Sequence, residues 1–186
     1  MDHPLPASIP AEHRPRILVV QENRSYLGVL SRRLVEAGYR VTSADCAARA
    51  VAELNRLPVD LIVCELNMRP TTGAELTRII RGEIRWRDLP IMLITGRSDA
   101  KGAVRAYEAG ADDVIAKPFH FEVLVARIAR RLARARSISS LRDDNAALDA
   151  RVVQRALEMG ELRDRLAESE TERLRLQSLM GSKASG

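Results

Sequence analysis

Aromatic residues are scarce in this chain: one Trp, three Tyr and two Phe make up 3% of its 186 residues. Any core must therefore be aliphatic. Cysteine is equally sparse. Cys46 and Cys64 lie in apolar surroundings and read as reduced core residues, which argues against a disulfide framework or a metal site. His3, His13 and His120 are scattered and form no metal-ligand spacing. No apolar run approaches the roughly 20 residues a membrane helix needs. Met1 to Arg14 holds Pro4, Pro6 and Pro10 but no signal-peptide core, and it reads as a loose tail. Together these absences point to a cytoplasmic protein with no membrane contact.

What is present bounds the answer further. The length suits one ordinary domain plus an extension. Hydrophobic residues at 46% support a real core, and charged residues at 30% suggest one segment that is mostly surface. The net charge of +5 is mild and by itself proves neither a nucleic-acid nor an acidic partner.

Apolar strand patterns alternate with helical ones. Arg16 to Val20 reads as a strand, followed by polar Gln21, Glu22 and Asn23. A helix from Ser25, with Tyr26, Leu27, Leu30 and Leu34 on one face, stops at Gly38. Tyr39 to Ala44 is a second strand, and Asp45 is expected to cap a helix over Ala47 to Arg56. Leu61 to Cys64 is a third strand ending at Glu65. Gly73 to Arg81 is a helix with Leu76, Ile79 and Ile80 inward. Leu89 to Thr95 is a fourth strand, and Ser98 or Asp99 opens a helix closed at Gly110. Val114 to Ala116 is a fifth strand, cut off by Lys117-Pro118. A fifth helix from Glu122 turns Val123, Leu124, Ile128 and Leu132 inward. Its Arg127, Arg130, Arg131, Arg134 and Arg136 form a solvated face. Trp86 covers the core or anchors a partner. This alternation predicts an α/β fold: a parallel sheet with helices on both faces.

The last helix does not stop. Ile138, Leu141, Asn145, Leu148, Val152, Arg155, Met159, Leu162, Leu166, Ser169, Arg173, Leu176 and Met180 recur at steps of three and four, a heptad seam in one phase. With Ile138 at position a, Leu fills d at 141, 148, 162 and 176, and Asn145 falls at a. This predicts a parallel homodimeric coiled coil. At 1.5 Å per residue it would run some 60 Å. Arg155, Ser169, Arg173 and Gly160 weaken it. The expected organisation is a tail over 1–14, a domain over 15–136, the coiled coil over 137–181 and a disordered end over 182–186. No helix-turn-helix or zinc motif appears, and no aromatics interleave with the arginines, so nucleic-acid binding is not expected.

Gln21-Glu22, Glu65, Thr95 and Lys117-Pro118 all fall at strand ends that converge on one edge of such a sheet, where open α/β folds bind ligands. An acidic pair can hold a divalent cation, and a carboxylate can accept a phosphoryl group. A hydroxyl and a lysine can hold that group's oxygens. In this order the residues resemble the receiver domain of bacterial two-component response regulators, over roughly Arg16 to Arg134. The resemblance implies a flavodoxin-like sheet of order 2-1-3-4-5 and a signalling role with no catalytic residue of its own. It also implies a cis bond before Pro118.

Thr95 and Lys117 fit that family's switch and phosphate contacts, and Gly73 fits its turn into the third helix. Four positions depart, one of them Pro70, which sits one place later than the family's usual proline, with Arg69 in its place. Glu65 stands where the family has its phosphoacceptor Asp, and Gln21 replaces one acid of the metal pocket. Val114 replaces the aromatic that swings inward on activation. Glu65 is one methylene longer than Asp, a misplacement of about 1.5 Å, which can cost around a hundredfold in rate. A magnesium ion would have only Glu22, Glu65 and the Asn67 carbonyl and would bind weakly. The expectation is an atypical receiver that works by protein–protein interaction without phosphorylation, needs no cofactor, and holds Glu65 outward or paired with Lys117. Expected partners are a second copy of itself and a histidine kinase or output regulator. The alternatives are a conventional phosphorylated switch, or a module whose output domain (a cyclic-di-nucleotide enzyme, a kinase or a DNA-binding domain) is separate.

Overall fold

A computed structural model describes residues 14–97 and 99–183; the side chains of residues 167, 174 and 176–183 are not among those described. The expected tail over residues 1–13, Ser98 and the last three residues lie outside the described set.

The short β-branched runs become strands β1 (Arg16–Val20), β2 (Arg40–Ala44), β3 (Leu61–Glu65), β4 (Ile91–Thr95) and β5 (Asp113–Ala116). Between them lie α1 (Arg24–Glu36), α2 (Ala47–Arg56), α3 (Gly73–Gly82) and α4 (Ala100–Glu108), and α5 (Phe121–Lys183) closes the chain. All neighbouring strands pair in parallel, in the order β2-β1-β3-β4-β5.

Alternate residues of one strand point to opposite faces, and both faces are covered, so the strands read as continuous apolar runs. Leu18, Val20, Ile62, Cys64 and Leu93 pack with Ala50 and Leu54 of α2 and Leu76 and Ile80 of α3. Ile17, Val19, Val63, Met92 and Ile94 pack with Leu30 and Leu34 of α1 and Leu124, Ile128 and Leu132 of α5. Trp86, in a 3-10 turn over Ile84–Trp86, belongs to the first cluster, with the Arg85 guanidinium over its ring. It covers the core.

Several local expectations are corrected. Asp45 does not cap α2: Cys46 is the N-cap and makes no side-chain cap bond, while the Asp45 carboxylate accepts from Arg24 at 3.3 Å. Ile79 is 50% exposed, and Thr77 takes the inward place, its hydroxyl donating to the Gly73 carbonyl. Val123 is likewise exposed at 44%, and Phe121 and Val125 pack against the core instead. Nor are all the α5 arginines solvated: Arg127 and Arg131 reach the buried Asp113 at 2.9 and 3.4 Å. Asp99 caps α4 by accepting from Gly102 N at 2.7 Å.

By its internal contacts the chain divides into two units, Met1–Ser137 and Ile138–Gly186, although α5 is one unbroken helix across that point. The helix continues through Lys183, past residue 181 where the sequence pattern ended it. In the second unit the seam side chains from Ile138 to Leu166 are exposed, the large apolar ones from 40% at Ile138 to 67% at Val152. Leu176 and Met180 lie outside the described side chains. Among the described residues no helix is long and apolar enough to cross a membrane.

Candidate functional site

Strand order reverses between β1 and β3, which is where a doubly wound sheet opens a crevice at its carboxyl edge. The register places Val20 opposite Cys64, Glu65 opposite Ile94 and Thr95 opposite Ala116. Gln21, Glu65, Thr95 and Lys117 therefore end adjacent strands on one edge. Three backbone bonds fix that edge: Gln21 N donates to Ala44 O, Leu66 N to Ile94 O, and Lys117 N to Thr95 O.

The Glu65 side chain is buried, at 7% residue exposure, and does not swing outward. Its Oε2 accepts from Lys117 Nζ in a close ion pair and from Gln21 Nε2 at 3.0 Å. The orientation of the Gln21 amide is determined by its other neighbour. Asn23 N can only donate, and it reaches Gln21 Oε1 at 3.0 Å, so Nε2 must face Glu65. Asn23 in turn caps α1, its Oδ1 accepting from Tyr26 N.

That cap brings Tyr26 over the pair. The Lys117 ammonium lies 4.5 Å from the Tyr26 ring centroid, a cation–π distance. Burial pushes the Tyr26 phenol above its ordinary pKa, and the negative charge of Glu65 pushes it the same way. Cys64, fully enclosed beside Glu65, has its thiol pushed up by burial and by the same charge, so it is no nucleophile. Tyr26 was read in the sequence only as a helix-face residue. The available signal was its place in the first turn after β1, which always overhangs a strand end.

The remaining site residues are arranged around this triad. Thr95 is buried at 1% exposure. Val114 is half-buried and packs against the first core cluster. Glu22 is exposed, and its Oε2 accepts from Arg69 N at 2.8 Å, tying the loop after β3 to the loop after β1. Asn67 is exposed. Peptide bonds Arg69-Pro70 and Lys117-Pro118 are cis. Gly73 opens α3 against this edge because nothing larger fits: a Cβ there would collide with the Glu65 carbonyl oxygen and lie 3.0 Å from Leu66 Cα. Thr72 and Glu75 hold the start of α3 in a capping box.

A hard cation such as magnesium needs oxygen acceptors converging on it. Here Glu65 faces two donors, the Lys117 ammonium and the Gln21 amide, and the Glu22 carboxylate accepts from a backbone N–H. Among the described residues no three His, Cys, Asp or Glu side chains are grouped to hold a metal ion. This donor set does not fit magnesium. Chemically, the edge offers a carboxylate paired with an ammonium on one oxygen, under an aromatic lid.

Comparison with known proteins agrees with this fold. A family model described as the response regulator receiver domain matches residues 17–129. Protein PetR of Rhodobacter capsulatus is 35% identical over 120 residues, 64% of this chain and 49% of that protein. The transcriptional regulatory protein PhoP of Escherichia coli K12 is 33% identical over 129 residues, 67% of this chain and 55% of that protein. The chain thus spans about half the length of the curated relatives it matches. Among solved structures, a putative response regulator from Chloroflexus aurantiacus has a TM-score of 0.63 at 28% identity, covering 64% of this chain and 98% of that one. The receiver domain of a signal transduction histidine kinase from Syntrophus aciditrophicus has a TM-score of 0.60 at 33% identity, covering 64% and 90%.

Proposed function

The chain belongs to the response regulator receiver family, and from that premise we propose that it signals through protein–protein contact without passing through a phosphorylated state. One observation carries the reading. The carboxylate at the phosphoacceptor position, Glu65, is held on one oxygen by both Lys117 and Gln21. One oxygen of the nucleophile is so engaged, and the extra methylene displaces the carboxylate from where an Asp would present it for in-line attack. Gln21 supplies a hydrogen-bond donor where the family has an acid, so cation-assisted transfer lacks its ligand set. Val114 offers no aromatic to swing.

The partners on this reading are a histidine kinase or an output regulator, together with a second copy of the chain. No cofactor takes part. A separate output domain delivering the response is the second reading. It is favoured by the greater length of the curated relatives, several of which are named as transcriptional regulators.

The test is incubation of the full chain with acetyl phosphate and magnesium, followed by intact-mass measurement. The mass is expected to stay unchanged, and the melting temperature with it. A gain of one phosphoryl group that disappears in Glu65→Gln sinks the proposal.

A further inference from the structure

We infer that the exposed seam of the second unit is covered by a second copy of this chain, in parallel and in register. The inference goes beyond the receiver reading and does not depend on it.

The argument starts from exposure. Leu141, Leu148, Val152, Met159, Leu162 and Leu166 are each at least 55% exposed on one stripe of a single helix. A helix this long owes its stability mostly to packing of an apolar face, and among the described residues the second unit holds only this helix. A sustained a/d stripe is the surface that takes another helix of the same pattern.

The orientation follows from charge and from the polar layer together. In a parallel pair each g residue meets the next e residue of the other chain. Glu158 then faces Arg163 and Arg165 faces Glu170, both attractive; Asp144 faces Asp149, which is unfavourable. Arg151 meets Ala156, which is neutral. In the antiparallel pair that sets Leu148 beside Leu166, g residues meet g residues. Asp144 then faces Glu172, Arg151 faces Arg165, and Glu158 faces Glu158, all repulsive. The e residues there give Arg142 to Glu170 and Asp149 to Arg163 in compensation. Exposed pairs are each worth at most about 1 kcal/mol, and their sum disfavours this register. The antiparallel register with Leu148 beside Arg173 has attractive Arg151–Glu172 and Glu158–Arg165 pairs against one repulsive Asp149–Glu170 pair, a balance equal to that of the parallel pair. The polar layer decides between these two. Asn145 meets Asn145 only in the parallel register, where the two amides bond each other; shifted or reversed, each is buried without that partner. The seam has costly layers at Arg155 and Ser169, both d, and at Arg173, an a position. The long arginine stems can carry their charges to the rim.

Full-length protein carrying Cys46→Ser and Leu148→Cys tests this, since the remaining native thiol, Cys64, is 1% exposed and cannot pair. Sedimentation should give a dimer, and oxidised glutathione should cross-link Leu148→Cys chains to each other. A 1:1 mixture of Leu148→Cys and Leu166→Cys chains should give no mixed cross-link. The double substitution Leu148→Asp and Leu162→Asp should leave a monomer with an unchanged receiver melt. A monomeric or trimeric parent, a dimer that survives the double substitution, or a mixed cross-link in preference to the symmetric one overturns the inference.

Discussion

At the scale of single residues, the site depends on one carboxylate oxygen shared by two donors. Lys117 is the partner that matters for stability. Its removal leaves Glu65 without its cationic partner on a side chain only 9% exposed, whereas solvent already reaches a third of Lys117. Lys117→Met is therefore expected to destabilise the receiver by about 1–2 kcal/mol, and Glu65→Gln by less, because a lone ammonium can turn to water. Urea unfolding of the two variants checks the order; equal losses would show that the pair, rather than the stranded charge, sets the cost. The Glu65 to Lys117 contact follows from residue types and strand ends. The Gln21 amide orientation and the Tyr26 lid do not, because each depends on how the α1 cap at Asn23 bends the loop after β1.

At the scale of elements, α3 presents its own start to the site. The Thr72 hydroxyl accepts from Glu75 N, and the Glu75 carboxylate accepts from Thr72 N and its hydroxyl at 2.8 and 2.9 Å. Those bonds hold the Glu75 pKa below the usual carboxylate range, the backbone bond most of all. A depressed folded pKa means that the stabilisation is complete above the ordinary glutamate value. It fades as pH falls through the lower folded value. Thr72→Ala is expected to cost about 1 kcal/mol at neutral pH. Urea midpoints taken from pH 7 down to 3 should fall less steeply in Glu75→Gln than in the parent. Parallel slopes would remove Glu75 from the account. The inward face of α3 shows where pattern reading fails: Ile79 looks as apolar as Ile80, but the helix's rotation, set by Gly73 lying flat on Glu65, turns Ile79 to solvent and Thr77 to the core.

At the scale of the whole molecule, the two units draw on different forces. Among the described residues no core residue lies beyond Leu132. Asp113 with Arg127 and Arg131 fastens the first turns of α5 to β5. A chain ending at Ser137 is therefore expected to melt cooperatively within about 5 °C of the full chain, a difference of roughly 1 kcal/mol or less. Circular dichroism followed on heating checks this, and loss of a cooperative transition would mean that the second unit is needed to fold the first.

Periodicity by itself determined the fold class, because strands of four or five apolar residues separated by single helices have few ways to bury both faces. It also determined the heptad phase, which depends only on spacing along one helix. The order of strand-end residues was enough to place Gln21, Glu65, Thr95 and Lys117 on one edge. Only tertiary structure decided what those residues do to one another: that Glu65 turns inward, that Gln21 donates to it, that Tyr26 covers Lys117, and that Arg127 and Arg131 leave the solvated face for Asp113. The reason is physical. Such contacts join residues far apart in sequence, and their side-chain directions are set by caps, close approaches and helix rotation that no local pattern encodes.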